Sequence, residues 1–216
     1  MCNNSTYLNV EFTNYIDVDS INTIVECGSR DCLDAIEMNK YYKPEIIYSF
    51  ECNPESIPVC LKNIEDIKNI YLIPKAVYNE NKIVVFYATD MEKSIDKNIG
   101  ASSLLKNKDT TGDFIQKIVL VEATRLDTFM EEEEISCIDL LCMDLQGTEH
   151  IAIEGLGDRV KDVKYVISEV SKKSYYFGDM LFDDFKEFMR GKGFRVIAKD
   201  KSYTGNALFK NVNYEY

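Results

Sequence analysis

The chain has 216 residues, 45% of them hydrophobic and 29% charged, and a formal net charge of −12 at pH 7. This length suits one domain, whose core would bury roughly 70% of the surface that the unfolded chain exposes. The negative charge repels phosphate backbones and anionic lipid headgroups, which argues against nucleic acid as a partner. No apolar run approaches the roughly 18 residues of a transmembrane helix, so the sequence predicts no membrane span.

The first residues and the cysteines indicate a reducing compartment. Residues 1–5 contain neither the basic nor the apolar region of a secretory signal. The seven cysteines are odd in number and form no C-x-x-C pair. Cys27 and Cys32 lie five residues apart, as do Cys137 and Cys142, and this spacing matches no familiar zinc site. We therefore predict a cytoplasmic, intracellular protein with reduced thiols.

Short apolar runs alternate with helical patterns along the chain, which is typical of β/α units. In the first part, the pattern predicts strand 24–27, helix 31–40, strand 45–50, helix 55–68 and strand 70–74. Residues 76–87 break this alternation, and they predict an antiparallel hairpin with its turn at 79–82.

The second part predicts strand 118–123, a short acidic helix from 127, strand 138–143, helix 147–155, strand 165–168, helix 182–190 and an antiparallel pair at 194–198 and 207–209. Together these elements predict an α/β fold with a mostly parallel, doubly wound, Rossmann-like sheet, an inserted β-hairpin and a C-terminal antiparallel strand. Residues 1–216 are expected to form a single domain. Its expected parts are an N-terminal extension (1–21), a cofactor-binding half (22–75), the hairpin region (76–125) and an acceptor-side half (126–216).

The candidate site lies just beyond the carboxyl ends of the strands, because doubly wound sheets bind ligands where the strand order reverses. Gly28 follows the first strand directly and would let the backbone approach a ligand closely. Glu51 ends the second strand, 25 residues after Glu26, where α/β folds place a carboxylate against an adenosine ribose. A tight turn and a solvated acid are the alternative interpretations of Gly28 and Glu51.

The composition of this loop favours S-adenosylmethionine over a nicotinamide cofactor. A nicotinamide dinucleotide calls for a G-x-G-x-x-G loop, and Gly28 is the single glycine in that stretch. S-adenosylmethionine has no phosphates to bind, and its cationic sulfonium suits a pocket lined by acids.

Several segments, in this order, resemble the FkbM-type methyltransferase family: VECGSRDCLDAI, FECNPES, GASSLL, VEATRLDTF, IDLLCMDLQGTEH, EVSKKSYYFG and GFRVIAKDKSYTGNALFKN. The similarity runs from about residue 22 to residue 210. It implies a class I methyltransferase fold with hairpin elements inserted after the third strand. It also implies methyl transfer to hydroxyl groups, typically those of sugars in glycans or glycolipids and of polyketide natural products.

The resemblance also suggests roles for individual residues. Glu26 and Gly28 match the family's first cofactor motif, and Glu51 matches its ribose-binding acid. The segment Asp144 to Glu149, with Gly147 inside it, matches the family's D-x-x-G-x-E motif. The full predicted cofactor set is Glu26, Gly28, Ser29, Glu51, Cys52, Asn53, Ala76 and Asp144.

Two cysteines depart from the family pattern. Cys32 stands where the cofactor loop usually has its last glycine, so the packing of the following helix must accommodate a thiol. Cys142 stands where many members have lysine, and this change is expected to act nearer the acceptor.

Methyl transfer to a hydroxyl needs close, collinear reactants and a base that takes the hydroxyl proton. Asp144 and Glu149 are the predicted catalytic carboxylates, and Glu169 is expected to share the task or to orient the acceptor. Each of these acids could instead be a helix cap or the partner of a nearby cation. A magnesium ion on Asp144 and Glu169 would be chemically reasonable, but the sequence shows no third ligand, and we predict no bound metal.

Four residues are predicted to contact the acceptor: His150, Lys172, Tyr175 and Tyr176. The two tyrosines follow Glu169 closely, and aromatic rings beside polar groups suit the apolar face and hydroxylated rim of a sugar. Packing of this loop on the sheet is the alternative. His150 is the chain's single histidine and has a suitable pKa for a base, although a surface or partly buried position is the more ordinary interpretation.

The sequence thus predicts an S-adenosylmethionine-dependent O-methyltransferase acting on a hydroxyl of a sugar or glycan. The alternatives are an O-methyltransferase of a lipid or natural-product hydroxyl, methylation of a protein group, and a non-catalytic protein that binds S-adenosylmethionine. The predicted partner is a carbohydrate or another small-molecule acceptor, and the oligomeric state is left open.

Overall fold

Two β-sheets organise residues 5–214, the part of the chain that the computed structural model describes; residues 1–4 and 215–216 of the predicted domain lie outside it. The helices are α1 (Val10–Thr13), α2 (Leu33–Tyr42), α3 (Ile57–Ile64), α4 (Leu126–Glu132), α5 (Glu149–Glu154) and α6 (Phe182–Gly191). Short 3-10 turns occur at Thr6–Leu8, Val18–Ser20, Ile99–Ala101 and Gly157–Asp162. The strands are β1 (Thr23–Cys27), β2 (Ile46–Phe50), β3 (Ile70–Ile73), β4 (Ala76–Val77), β5 (Lys82–Thr89), β6 (Gln116–Thr124), β7 (Ile138–Met143), β8 (Val163–Ser171), β9 (Phe194–Lys199) and β10 (Thr204–Asn211).

The main sheet has the strand order β3-β2-β1-β7-β8-β10-β9. The pairs from β3 to β8 are parallel, whereas β10 runs antiparallel to both β8 and β9. Every residue of β7 is buried, as expected for a strand covered on both faces. This architecture confirms the predicted Rossmann-like, mostly parallel sheet with an antiparallel C-terminal strand. The order reverses between β1 and β7, so the crevice for a ligand lies at their carboxyl ends.

The second sheet corrects the predicted hairpin at 76–87. Its strand order is β4-β6-β5, so β4 and β5 lie on opposite sides of β6 and do not pair with each other. Asn81 accepts a hydrogen bond from the Arg125 backbone N–H (2.8 Å), which wraps the turn between β4 and β5 around the end of β6. The prediction was wrong because β6 enters between two segments that are neighbours in the chain.

Several helices differ in their bounds from the sequence prediction, α2 and α3 among them. Helix α2 begins at Leu33 instead of 31, because Arg30 and Cys32 have left-handed backbone angles (φ +56° and +59°). Helix α3 covers Ile57–Ile64 within the predicted 55–68, with a proline in its first turn.

The sheet has an apolar core on each face. Helices α4, α5 and α6 cover one face, where Leu141, Phe185 and Phe209 are buried together. On the other face, Phe12 from the N-terminal extension packs with Met38 of α2 and their buried neighbours. Residues 5–21 therefore contribute apolar side chains to the core of the domain. Within residues 5–214, no helix has the length and hydropathy that crossing a bilayer requires.

Candidate functional site

A cleft opens at the carboxyl ends of β1, β2 and β7, where the strand order reverses. Gly28 forms its floor with a left-handed backbone (φ +85°). A Cβ atom at this position would lie 2.0 Å from the carbonyl oxygen of Asp144. The loop after β1 therefore approaches the end of β7 so closely that only glycine fits.

The loop between β1 and α2 is held by backbone bonds to β2. The N–H groups of Gly28 and Ser29 both donate to the Phe50 carbonyl, at 3.0 and 2.9 Å. Cys32, which stands at the family's glycine position, has φ +59° and is fully buried. A glycine is favoured there because the backbone is left-handed, and the Cys32 sulfur lies 3.2 Å from Ser29 Oγ.

Glu51 lies in the wall of the cleft, directly after β2. Its carboxylate accepts hydrogen bonds from the backbone N–H groups of Arg30 (2.7 Å) and Asn53 (2.6 Å). Burial raises the pKa of Glu51, while these backbone bonds lower it. The two N–H groups orient the carboxylate and leave it further acceptor capacity toward the cleft. Its role as the ribose-binding acid stays a prediction.

Glu26 lies one layer behind the cleft and does not line it. The side chain is 1% exposed and accepts hydrogen bonds from Ser29 Oγ (2.6 Å) and Ser49 Oγ (2.8 Å). Burial raises the pKa of Glu26 to about 8, against the effect of the serine hydroxyls. In this structure Glu26 supports the loop from below, so any effect on a cofactor would pass through Ser29.

The other predicted cofactor residues, Ser29, Cys52, Asn53, Ala76 and Asp144, all line the cleft. Asn53 is 2% exposed, and its Nδ2 atom has no hydrogen-bond partner within residues 5–214. A buried amide donor without an acceptor is costly, and a ligand oxygen would satisfy it. The glycine floor, the oriented carboxylate and this donor together fit a polar, phosphate-free ligand such as S-adenosylmethionine.

A cluster of acids lies at the inner end of the cleft. The Nε2 atom of Gln146 donates to Asp144 Oδ1 (2.6 Å) and to Glu169 Oε2 (2.7 Å). Glu149 accepts from the backbone N–H groups of Leu145 (2.9 Å) and Gly147 (3.3 Å). The three predicted catalytic carboxylates are thus brought together from different elements. Asp144 directly follows β7, Glu149 is the first residue of α5, and Glu169 lies in β8.

Burial raises the pKa of each of these carboxyl groups. For Asp144, hydrogen bonds from Gln146 and from Glu169 and the charge of Arg30 oppose the increase in pKa. For Glu169, the charges of Asp144 and Glu149 add to it. Burial raises the pKa of Glu149 to about 7, although backbone hydrogen bonds lower it. Glu169 is therefore the group that holds a proton most firmly, and Asp144 is ionised more readily.

A second cavity of about 540 Å³ adjoins the acid cluster. Gln146, Glu149 and Glu169 line its inner end, and Tyr175 and Tyr176 line its side. Tyr175 is 44% exposed, so its ring is available to a ligand, whereas Tyr176 is buried. Residues 107–109 and 113–114, from the connection between β5 and β6, contribute another part of the wall.

Two of the predicted acceptor residues do not line this cavity. His150 follows Glu149 on α5 and turns toward α6, where its ring lies 6.5 Å from that of Phe188. Burial lowers the pKa of His150, and its Nδ1 atom has no hydrogen-bond partner in the described part of the chain. Lys172 is exposed outside the cavity, and its neighbour Lys173 lines the cavity instead.

Gln146 and Asp179 are two of the polar cavity residues that were not predicted from the sequence. Gln146 lies inside the D-x-x-G-x-E segment, but a glutamine there carries no signal of its own. Asp179 shapes the tyrosine loop, because its carboxylate accepts from Ser174 Oγ (2.5 Å) and from the N–H groups of Tyr175 (2.7 Å) and Tyr176 (3.0 Å). Gly178 indicates a turn next to Asp179, but a glycine does not indicate which hydrogen bonds the neighbouring carboxylate accepts.

Among residues 5–214, no group of three or more His, Cys, Asp and Glu side chains is arranged to hold a metal ion.

Comparisons with known proteins identify relatives of the chain. A family model described as the methyltransferase FkbM domain matches residues 26–196. The 2-O-methyltransferase NoeI of Sinorhizobium fredii is 21% identical over 193 residues, which cover 87% of this chain and 79% of NoeI.

Solved structures share the fold at low sequence identity. The methyltransferase FkbM from Methylobacillus flagellatus superposes with a TM-score of 0.62 at 11% identity, covering 95% of this chain and 47% of that one. TrmK from M. capricolum, solved with S-adenosylhomocysteine, gives a TM-score of 0.54 at 13% identity, covering 93% of this chain and 66% of that one. The chain thus spans about half the length of the first structure.

Proposed function

This chain belongs to the FkbM methyltransferase family and is a methyltransferase, and from that premise we propose that it transfers a methyl group from S-adenosylmethionine to a hydroxyl of a sugar or glycan. The observation that carries the proposal is the link between two neighbouring pockets. Asp144 lines the cleft, Glu169 lines the 540 Å³ cavity, and the Gln146 amide donates a hydrogen bond to each of these two carboxyl groups. A donor in the cleft and an acceptor in the cavity would therefore come together beside Asp144.

The cleft has the features that S-adenosylmethionine requires as the cofactor. Asn53 offers an unsatisfied amide donor, Glu51 offers an oriented carboxylate, and Gly28 permits close approach of the backbone. The solved relative TrmK binds S-adenosylhomocysteine, the product form of this cofactor, on the same type of fold.

The second cavity suits a sugar better than a purely apolar acceptor. Its volume lies within the range of small-molecule sites, roughly 300–1,000 Å³. The exposed ring of Tyr175 can pack against the C–H face of a sugar, and the carboxyl groups at the inner end can accept hydrogen bonds from its hydroxyls. NoeI, a relative of this chain, is a 2-O-methyltransferase by name, which supports oxygen as the methylated atom.

The catalytic task of the chain is to place the hydroxyl and remove its proton. When bound, S-adenosylmethionine supplies the methyl group as an electrophile on a positively charged sulfur. A carboxylate of the acid cluster would accept the hydroxyl proton as the methyl group is transferred to the oxygen. The low-dielectric surroundings strengthen the attraction between this carboxylate and the positive charge on the donor side.

The same site could serve a hydroxyl of a lipid or natural product, or bind the cofactor without turnover. Nucleic acid is a poor fit, because the net charge of −12 opposes a phosphate backbone.

The decisive experiment compares thermal shifts with S-adenosylmethionine, S-adenosylhomocysteine and NAD, followed by methyl transfer from labelled S-adenosylmethionine to a panel of neutral sugars and glycans. We expect the first two ligands to raise the Tm, and Glu51→Ala to abolish the shift. Glu45→Ala is the matched control, since Glu45 is exposed at the opposite end of the same strand. An undiminished shift in Glu51→Ala would remove that residue from the cofactor site. Cofactor binding without transfer to any sugar would support the non-catalytic or lipid alternatives.

A further inference from the structure

Gln146 has an unusual backbone for a residue with a long side chain. Its φ of +52° is left-handed, and Gly147 follows with φ +99°. The turn is tightly held, because Ser103 Oγ donates to the Gln146 carbonyl (2.8 Å) and a Cβ at position 147 would lie 2.8 Å from Asp179 Cβ. Glycine or asparagine would adopt this backbone with less strain. An outlier of this kind at a site is a reason to look for a function in the side chain.

The side chain of Gln146 joins the two pockets. Both hydrogens of its Nε2 atom are used, one on Asp144 of the cleft and one on Glu169 of the cavity. Its Oε1 atom lies 2.9 Å from the hydroxyl of Tyr176, which can donate to it or to the Ala101 carbonyl. The opposite orientation of the amide would aim its oxygen at two carboxyl groups, so the amide has one favourable orientation.

Two carboxyl groups on one amide nitrogen cannot both be ionised without strong repulsion. Asp144 has the compensating charge of Arg30 nearby, whereas Glu169 faces the negative charges of Asp144 and Glu149. Other titratable groups that act on this pair or titrate in response to it are Asp34 on α2, Tyr7 in the N-terminal extension, and Tyr176 and Asp179 in the loop after β8. Arg30 is the cation that acts on Asp144, so the proton of the pair resides on Glu169.

We propose that Gln146 is a positioning residue that holds Asp144 ionised toward the cofactor cleft and Glu169 protonated toward the acceptor cavity. Asp144 is then the base that receives the acceptor's proton, and Glu169 is a hydrogen-bond donor to a neighbouring oxygen of the acceptor. The catalytic meaning of this arrangement rests on the proposed methyl transfer, whereas the arrangement of the proton can be tested without it.

The test is a pH titration of the side-chain carboxyl carbons by 13C NMR, on protein labelled in Asp and Glu and free of cofactor. Asp144→Asn and Glu169→Gln assign the two signals. In the wild type we expect the Glu169 signal to be protonated at about pH 7 while the Asp144 signal is ionised. In Gln146→Met the Asp144 midpoint should rise by about one pH unit or more, because a hydrogen bond to the charged form is lost.

Gln116→Met is the matched control. The Gln116 amide also bonds on both sides, accepting from Asn107 N (2.9 Å) and donating to the Tyr87 and Leu105 carbonyls (3.4 Å each), but it contacts no carboxyl group. Its substitution should leave both midpoints unchanged. Should Gln146→Met fail to fold, Gln146→Asn replaces it, since asparagine suits the left-handed backbone and is too short to bridge both acids.

Three results would overturn the proposal: an ionised Glu169 at about pH 7, an Asp144 midpoint that is unchanged in both Gln146 variants, or an equal shift in Gln116→Met. Cofactor affinity can be measured against pH in parallel. In Gln146→Met, the pH at which affinity declines on acidification should rise by the same amount as the Asp144 midpoint. If the wild type binds no S-adenosylmethionine, the proposed function fails, and the NMR midpoints still decide the role of Gln146.

Discussion

Gly28→Ala tests whether the floor of the cleft depends on the close approach of two strand ends. The added Cβ would lie 2.0 Å from the Asp144 carbonyl oxygen and 3.0 Å from its carbonyl carbon. Neither partner is a flexible side chain, so relief requires β1 and β7 to move apart at their carboxyl ends. That movement would stretch the hydrogen bond from Asp144 N to the Cys27 carbonyl, now 3.0 Å long.

Three effects determine how much Gly28→Ala lowers the free energy of unfolding. Left-handed backbone costs alanine roughly 1–2 kcal/mol, overpacking costs roughly 1–3 kcal/mol, and a weakened hydrogen bond costs about 1 kcal/mol. We therefore expect Gly28→Ala to lower the free energy of unfolding by about 3–6 kcal/mol, a large part of the roughly 5–15 kcal/mol typical of a domain. Cofactor binding should be lost as well, because the displaced loop also carries the N–H group that orients Glu51.

Urea denaturation provides the assay, with Gly112→Ala as the control. Gly112 has nearly the same φ, +88°, but a Cβ there would meet nothing within 4 Å. Its substitution should cost roughly 1–2 kcal/mol, the backbone contribution alone. Equal losses in the two variants would refute the steric argument, and so would a Gly28→Ala protein that retains the full thermal shift with S-adenosylmethionine.

The remaining predictions concern two titratable side chains, the buried Glu26 and the half-buried His150. Because folding raises the pKa of Glu26 to about 8, the native state binds more protons than the unfolded state between about pH 4.5 and 8, and stability should fall as pH rises through this window. Urea titrations at the two ends of the window measure this decrease in the free energy of unfolding, which should be a few kcal/mol smaller in Glu26→Gln than in the wild type. An equal decrease in both proteins would contradict a buried, protonated Glu26 carboxyl. For His150→Phe we expect unchanged methyl transfer and equal or higher stability, because an unsatisfied Nδ1 beside Phe188 is replaced by an apolar ring; a large loss of activity at constant Tm would instead make His150 functional.

The sequence predicts the main sheet well because each of its strands carries a local signal. β7 is a continuous apolar run, as expected for a parallel strand covered on both faces, and β1 and β2 each end at an acid and a turn. The antiparallel pair β9 and β10 is also predicted, since two apolar runs mark it after the glycines that close α6. The reversal of strand order then places the cleft, and all of the predicted cofactor residues except Glu26 line it.

Pairing between distant segments is where the prediction fails. β6 lies between β4 and β5, although 26 residues separate it from β5 in the chain (90–115), and no local pattern indicates which neighbour it takes. The same reason applies to Gln146 and Asp179, whose importance comes from partners on other segments. His150 and Lys172 were placed at the cavity by proximity in sequence, but consecutive residues on a helix or a strand point in different directions.

The walls of the two pockets come largely from different stretches of the chain. Residues 107–114 and 170–181 contribute to the cavity and not to the cleft, whereas 28–34, 50–56 and 75–77 contribute to the cleft alone. On the proposed function, acceptor selectivity would therefore depend mainly on two loops that contribute nothing to the donor cleft. A chimera that takes only those loops from a relative should acquire that relative's acceptor preference and keep its own affinity for the methyl donor.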